Sequence, residues 1–214
     1  MLGLPASTEF NKRIPKQKFY DHADLSSKLK RCFVEQIKSI YWVNKIAPSV
    51  VNLEKGKYVT EIEVIEIHLY SLELNEGVLK LINNAIPYHI LFLLEYDQKY
   101  QVWIEFKPSS EADKGSAKDA RYYHTEWQPE ENLPIHLDGL NMDEAWENML
   151  LAVSGIKLEH GRSLEEQITI EDQRIKLKDQ ITRLEKKVWG ERQPKRKFEL
   201  NQELKSLKKE LEEL

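Results

Sequence analysis

Leu29, Phe33, Ile37, Ile40 and Tyr41 fall three or four residues apart, and Trp42 and Ile46 extend the same apolar side. That is the spacing of one helical face, with Lys28, Lys30, Arg31 and Lys38 around the rest. The pattern predicts a helix capped by Ser26 or Ser27 and stopped at Pro48. The period then shortens. Residues 58–70 are rich in Val and Ile and read as a strand, half buried because Glu61, Glu63 and Glu66 interrupt it. Leu74, Val78, Leu79 and Ile82 return to helical spacing, so residues 74–85 read as a short helix ended by Pro87. The stretch IPYHILFLLEYDQKYQVWIEFK, from Ile86 to Lys107, reads as a β-hairpin. A turn at Asp97-Gln98-Lys99 sets Tyr96 opposite Tyr100 and Glu105 opposite Leu91. On its second strand Gln101, Trp103, Glu105 and Lys107 share one face and Val102, Ile104 and Phe106 the other, the alternation of a half-exposed strand. Residues 108–119 are small and polar and read as a mobile loop. Residues 121–127 read as a further strand. Asn141 or Asp143 starts a helix carrying Met142, Ala145, Trp146, Met149 and Leu150.

At Gly155 the composition changes. Ser163-Leu164-Glu165-Glu166 is a capping box, followed by strong helix formers up to Trp189. Ile170, Leu177, Ile181, Leu184 and Val188 keep alternating three- and four-residue steps, with Arg174 in one slot. After Gly190 and Pro194, Leu200, Leu204, Leu207, Leu211 and Leu214 repeat the spacing. These are heptad seams. The expected architecture is an α+β domain over residues 1–155, with a small, mostly antiparallel sheet and flanking helices. A helical coiled-coil hairpin follows over residues 160–214. A lone apolar stripe does not stay exposed, so the tail is expected to assemble through Leu177, Ile181, Leu184, Val188, Leu200, Leu204, Leu207 and Leu211.

Charge adds an asymmetry. The net charge is −4, but residues 1–58 carry +6, residues 59–156 carry −12 and residues 157–214 carry +2. The two front regions can attract each other within one fold, or the basic one can meet nucleic acid. In the second case Lys12, Arg13, Lys16, Lys18, Lys28 and Arg31 are the expected phosphate contacts. The single cysteine, Cys32, rules out an internal disulfide and a CxxC zinc module, and its place beside Phe33 reads as a buried, inert thiol. No signal peptide or apolar run of membrane-spanning length is visible, so a cytoplasmic setting is expected.

Glu105-Phe106-Lys107 ends a strand as Glu-x-Lys, a pattern used in metal-dependent nucleases, where two carboxylates hold the ion and the lysine helps position water. With the register above, Ile90 and Leu91 stand where the second acid belongs, and only a carboxylate such as Glu63 from another strand can supply it. No Gly-rich phosphate loop, GxSxG or HExxH is present, and the histidines are scattered. His124 and Glu126 share a strand face, a weak beginning of a metal site and more simply two polar positions. No metal or cofactor is expected.

LPASTEFNKRIPKQKFY, VEQIKSIYWVNKIAPSVVNL, TEIEVIEIHL and IPYHILFLLEY, in that order, resemble the bacterial family catalogued as domain of unknown function 4391. The resemblance covers about residues 1–155, with the tail as an addition. It implies an α+β domain without established activity, found beside helicase-like ATPases and DNA methyltransferases in restriction-like or antiphage clusters, and it carries over no catalytic residues. The expectation is a non-enzymatic accessory subunit of a DNA-directed complex. Its expected partners are a helicase-like ATPase or DNA methyltransferase, with self-association through the tail and DNA contact as further partner readings and no membrane. The alternative is a DNA nuclease using Glu105 and Lys107 with Glu63.

Overall fold

The structure is a computed structural model that describes residues 2–20, 26–106, 121–158 and 161–214. It divides into two compact units, residues 1–155 and 156–214. The first is built on one six-stranded sheet in sequence order: β1 (Glu9–Ile14), β2 (Ile37–Ile46), β3 (Ile62–Leu69), β4 (His89–Tyr96), β5 (Lys99–Phe106) and β6 (Arg121–His124). All neighbours are antiparallel except β3 and β4, which run parallel. The mostly antiparallel sheet with flanking helices is therefore present.

A parallel pair needs a crossover, and α3 (Glu76–Ala85) supplies it, capped by the Asn75 side chain on the Gly77 N–H. With α1 (Gln17–Tyr20) and α2 (Ser27–Glu35) it covers one sheet face. Phe19, Phe33, Val78, Leu79 and Ile82 there meet Ile40, Ile65, Ile67, Phe92 and Leu94. On the other face lies α4 (Met142–Ser154), started by Asn141 and ended by Gly155 in the left-handed region at φ 68°. Trp146 of α4 packs edge-on against His89.

Four expectations need correction. The helix foreseen from Ser26 to Pro48 ends at Glu35, and Ile37–Ile46 is β2. Two register shifts, at Ile37/Ser39 and Trp42/Asn44, break the two-residue alternation of β2, so its apolar residues fall by accident at helical spacing. Strand β3 is buried nearly throughout, because a parallel strand inside a sheet has both faces covered. The hairpin turn holds two residues, not three. Asp97 and Gln98 both take positive φ, 50° and 61°, the twist-matching geometry of two-residue hairpins. Tyr96 thus faces Lys99, and Leu91 faces Ile104. Gln101 and Glu105 are buried rather than on an open face. Cys32 is half buried, packed against the core beside Phe33. Lys107 and the 108–119 stretch lie outside the described residues.

In the second unit α5 (Leu164–Gly190) starts at the Ser163/Glu166 capping box and α6 (Pro194–Glu213) starts at its proline. The two helices pack on each other across a three-residue turn. Among the described residues no helix is long and apolar enough to cross a membrane.

Asp143, in the first turn of α4, ties a distant loop to the domain. Its carboxylate accepts from the backbone N–H groups of Lys57, Tyr58 and Val59 at 2.6, 3.0 and 2.7 Å. Gly56 makes room for this, since a Cβ there would meet Asp143 and stand 2.6 Å from the Val59 carbonyl oxygen. Asp143→Ala leaves those donors without their charged partner and is expected to cost about 2 kcal/mol, with Gly56→Ala also destabilising. Urea unfolding checks this, and an unchanged midpoint in both variants would refute the anchor.

Candidate functional site

Extending the β4–β5 register by one residue places Glu105 beside Ile90, and Ile90 pairs with Glu63 of β3. Glu63, Ile90 and Glu105 therefore form a row across three strands, pointing to the face that α3 covers. This is the pairing of Glu63 with Glu105 that the nuclease alternative requires. The two are separated by two strand spacings, about 9.6 Å between backbones, with the buried Ile90 between them. Their carboxyls have different partners. Glu105, 6% exposed, accepts a hydrogen bond from Asn83 Nδ2 of α3. The Tyr122 phenol also meets Glu105, and its pKa is pushed up by burial and by that carboxylate.

Glu63 is 1% exposed. Its neighbours lie toward β2. Glu61 precedes β3, and Lys45 faces Glu63 across the strands and donates to Glu61 at 2.7 Å. Neither carboxyl oxygen of Glu63 meets a hydrogen-bond partner, which a neutral carboxyl bears at lower cost than a carboxylate. Burial first, and then Glu61, push Glu63 up to about 8. Burial pushes Glu61 up as well, but its neighbour Glu63 and the hydrogen bond and charge of Lys45 outweigh it and hold Glu61 below the usual range. The two shifts place the negative charge on Glu61, beside Lys45. Burial of a carboxyl is a common way to tune an acid.

The six basic residues expected at phosphate do not form one set. Lys12 and Arg13 are exposed on β1, the sheet edge, and the Lys12 ammonium sits 4.2 Å over the Phe10 ring. Lys18 and Lys28 are exposed. Arg31 pairs with Glu35 at 3.8 Å. Lys16 has a structural task, since its Nζ donates to the carbonyls of Phe33 and Ile37, at 3.2 and 2.6 Å, where α2 ends. Burial, then Arg13, lowers its pKa.

Of the tail residues, Leu177, Ile181 and Leu184 of α5 are buried. Val188 and the α6 residues Leu200, Leu204, Leu207 and Leu211 are half exposed. Lys208 reaches Glu185 across the helices at 2.8 Å.

The structure also assembles groups that the sequence pattern did not single out. His68 Nε2 lies 2.8 Å from Glu66 and its Nδ1 3.4 Å from Glu95, so one imidazole stands between carboxylates of β3 and β4. Glu66-x-His68 on a strand was the available signal, hidden because the cross-strand partner depended on an unforeseen parallel pairing. Glu66 also lines a 250 Å³ cavity with Tyr100 and Glu130. A second cleft holds Trp103 and Trp127. His124 stacks on Trp103 at 4.3 Å, while Glu126 is exposed beyond the end of β6. Among the described residues no group of three or more His, Cys, Asp and Glu has the geometry to hold a metal ion.

Glu63 supplies a test with a fixed sign. Its folded pKa lies above the unfolded value, so its contribution to stability is full at pH below 4.5 and is lost as pH rises toward about 8. The slope is at most about 1.4 kcal/mol per pH unit. Glu63→Gln keeps a side chain of the same shape that is neutral at every pH, so the variant is expected to gain on the wild type as pH rises through this window. Urea midpoints measured across it decide, and parallel profiles would show that Glu63 carries no such proton.

No curated protein and no solved structure matches the chain. The family described as domain of unknown function, DUF4391, matches over residues 2–211. That span includes both helices of the tail, which corrects the expectation that the tail is an addition to the family's domain. With nearly its whole length matched, the chain belongs to the DUF4391 family.

Proposed function

We propose that this chain is an accessory subunit of a DNA-directed complex, with no catalysis of its own, docking through a coiled-coil hairpin formed by α5 and α6. The observation that carries the reading is the uneven cover of the tail's apolar seam. On α5 the seam residues Leu177, Ile181 and Leu184 are buried. On α6 Leu200, Leu204, Leu207 and Leu211 keep part of their surface in water. At the turn Trp189 is 90% and Phe198 64% exposed. A further helix laid along α6 would remove that apolar surface at about 25 cal/mol per Å², through the same heptad positions that pair the first two. The partner proposed is a helicase-like ATPase or a DNA methyltransferase encoded beside this family in antiphage or restriction-modification systems; a second copy of the chain is the other occupant such a seam accepts.

Trp189 and Phe198 are exposed, so replacing both by serine leaves the hairpin's own packing intact. Tagged wild type is expected to bring down the ATPase or methyltransferase from its host. Trp189→Ser/Phe198→Ser is expected to lose it with an unchanged circular dichroism spectrum. Capture that is equal for both proteins, or absent for both, overturns the reading.

Direct DNA contact has its own test at Lys12 and Arg13. If both meet phosphate, affinity falls about tenfold between about 50 and 200 mM salt. The Lys12→Ala/Arg13→Ala variant then shows a flatter slope. A variant slope equal to that of the wild type removes these residues from any DNA interface.

A further inference from the structure

Between the start of α3 and the outer strands lies a cleft of about 460 Å³, lined by Gln36, Leu72–Asn75, Leu94, Gln101, Trp103 and Trp127. It opens at the carboxyl ends of the parallel strands β3 and β4, where open α/β sheets leave crevices for ligands. Its volume lies in the range of small-ligand sites. The floor is Leu94, 1% exposed.

The Trp103 indole is held before any ligand arrives. His124 stacks on it at 4.3 Å, and its Nε1 donates to Gln101 Oε1 at 2.8 Å. Gln101 is fixed in turn by its Nε2, which donates to the Thr125 carbonyl at 2.8 Å. Gln36 is anchored by accepting the Asn75 N–H at 3.0 Å. The cleft therefore offers two indoles, one of them locked, with amide groups and the exposed carboxylate of Glu73. Among the described residues that line it, none is cationic.

That chemistry selects against phosphate and for a flat cation. We propose that the cleft takes the guanidinium of an arginine side chain presented by a partner protein. A guanidinium stacks on an indole face and directs its N–H groups in plane to a carboxylate or amide oxygen. Trp103 and Trp127 provide the faces, and Glu73 the charge at the rim. The surrounding region, net −12 over residues 59–156, draws cations toward it.

The test uses the full chain and NMR of the indole Nε1–H signals, assigned with Trp→Phe variants. The peptide Gly-Gly-Arg-Gly-Gly is titrated to about 10 mM, the affinity range expected of one side chain, beside the same peptide with the neutral isostere citrulline. The arginine peptide is expected to shift Trp103 and Trp127 with at least about tenfold tighter binding than the citrulline peptide. Glu73→Gln, an exposed change that leaves folding intact, is expected to weaken it several-fold. Equal binding of the two peptides, or no shift at either indole, overturns the proposal. Tighter binding of free arginine than of the peptide would assign the cleft to a metabolite and overturn the partner. Tighter binding of adenosine than of the arginine peptide would make it a base-stacking site and overturn the cation.

Discussion

The parallel pairing of β3 with β4 is the constraint on which the first unit depends. It puts β3 inside the sheet, with helices over both faces, so a polar side chain on that strand has no water to turn to. Burial of an unpaired charge costs several kcal/mol, and the acids of β3 meet that cost in different ways. Glu63, whose oxygens have no hydrogen-bond partner, is pushed toward its neutral form, while Lys45 balances the charge of Glu61 before it. Glu66 meets His68, and His68 reaches Glu95 on β4. Glu61, Glu66 and Glu95 thus find their partners within the fold.

The same pairing requires α3, and α3 treats the two ends of the sheet differently. Near its C-terminus Asn83 comes down on Glu105 and closes the face over the Glu63–Ile90–Glu105 row. Near its N-terminus Leu72–Asn75, which lead into the helix, and Gln36 line a cleft together with Trp103 of β5 and Trp127 beyond β6. One crossover helix therefore seals the carboxylates that resemble a catalytic row and leaves open the end that carries aromatic and amide groups.

Legibility in the sequence followed the strength of local signals. The helices after Asn141 and Ser163 were readable from a cap and a capping box that act within a few residues, and those after Asn75 and Gln193 from the spacing of their apolar residues. The hairpin was readable, but its register was not, because Asp97-Gln98 adopts positive φ without a glycine to announce it. That one-residue slip decided which residue stood opposite Glu105. Strand β2 was misread because its bulges disguise the alternation of a strand as the spacing of a helix. Parallel pairing leaves no local mark, and both the Glu63 row and the Glu66–His68–Glu95 group depend on it. Lys16 looked like a phosphate contact because charge alone was visible, whereas its carbonyl partners lie 17 and 21 residues away.

The tail follows a different logic from the sheet. Its heptads are local and legible, but an isolated pair of helices buries only one side of each stripe. What is covered on α5 stays partly wet on α6, and the aromatic residues at the turn are wetter still. A free hairpin gains nothing from an exposed tryptophan and phenylalanine at its tip, and large exposed apolar groups that cluster mark interaction sites more often than accidents. The family match spans this tail together with the sheet. The leucines that the helical pair leaves partly uncovered are the surface on which the proposed docking rests.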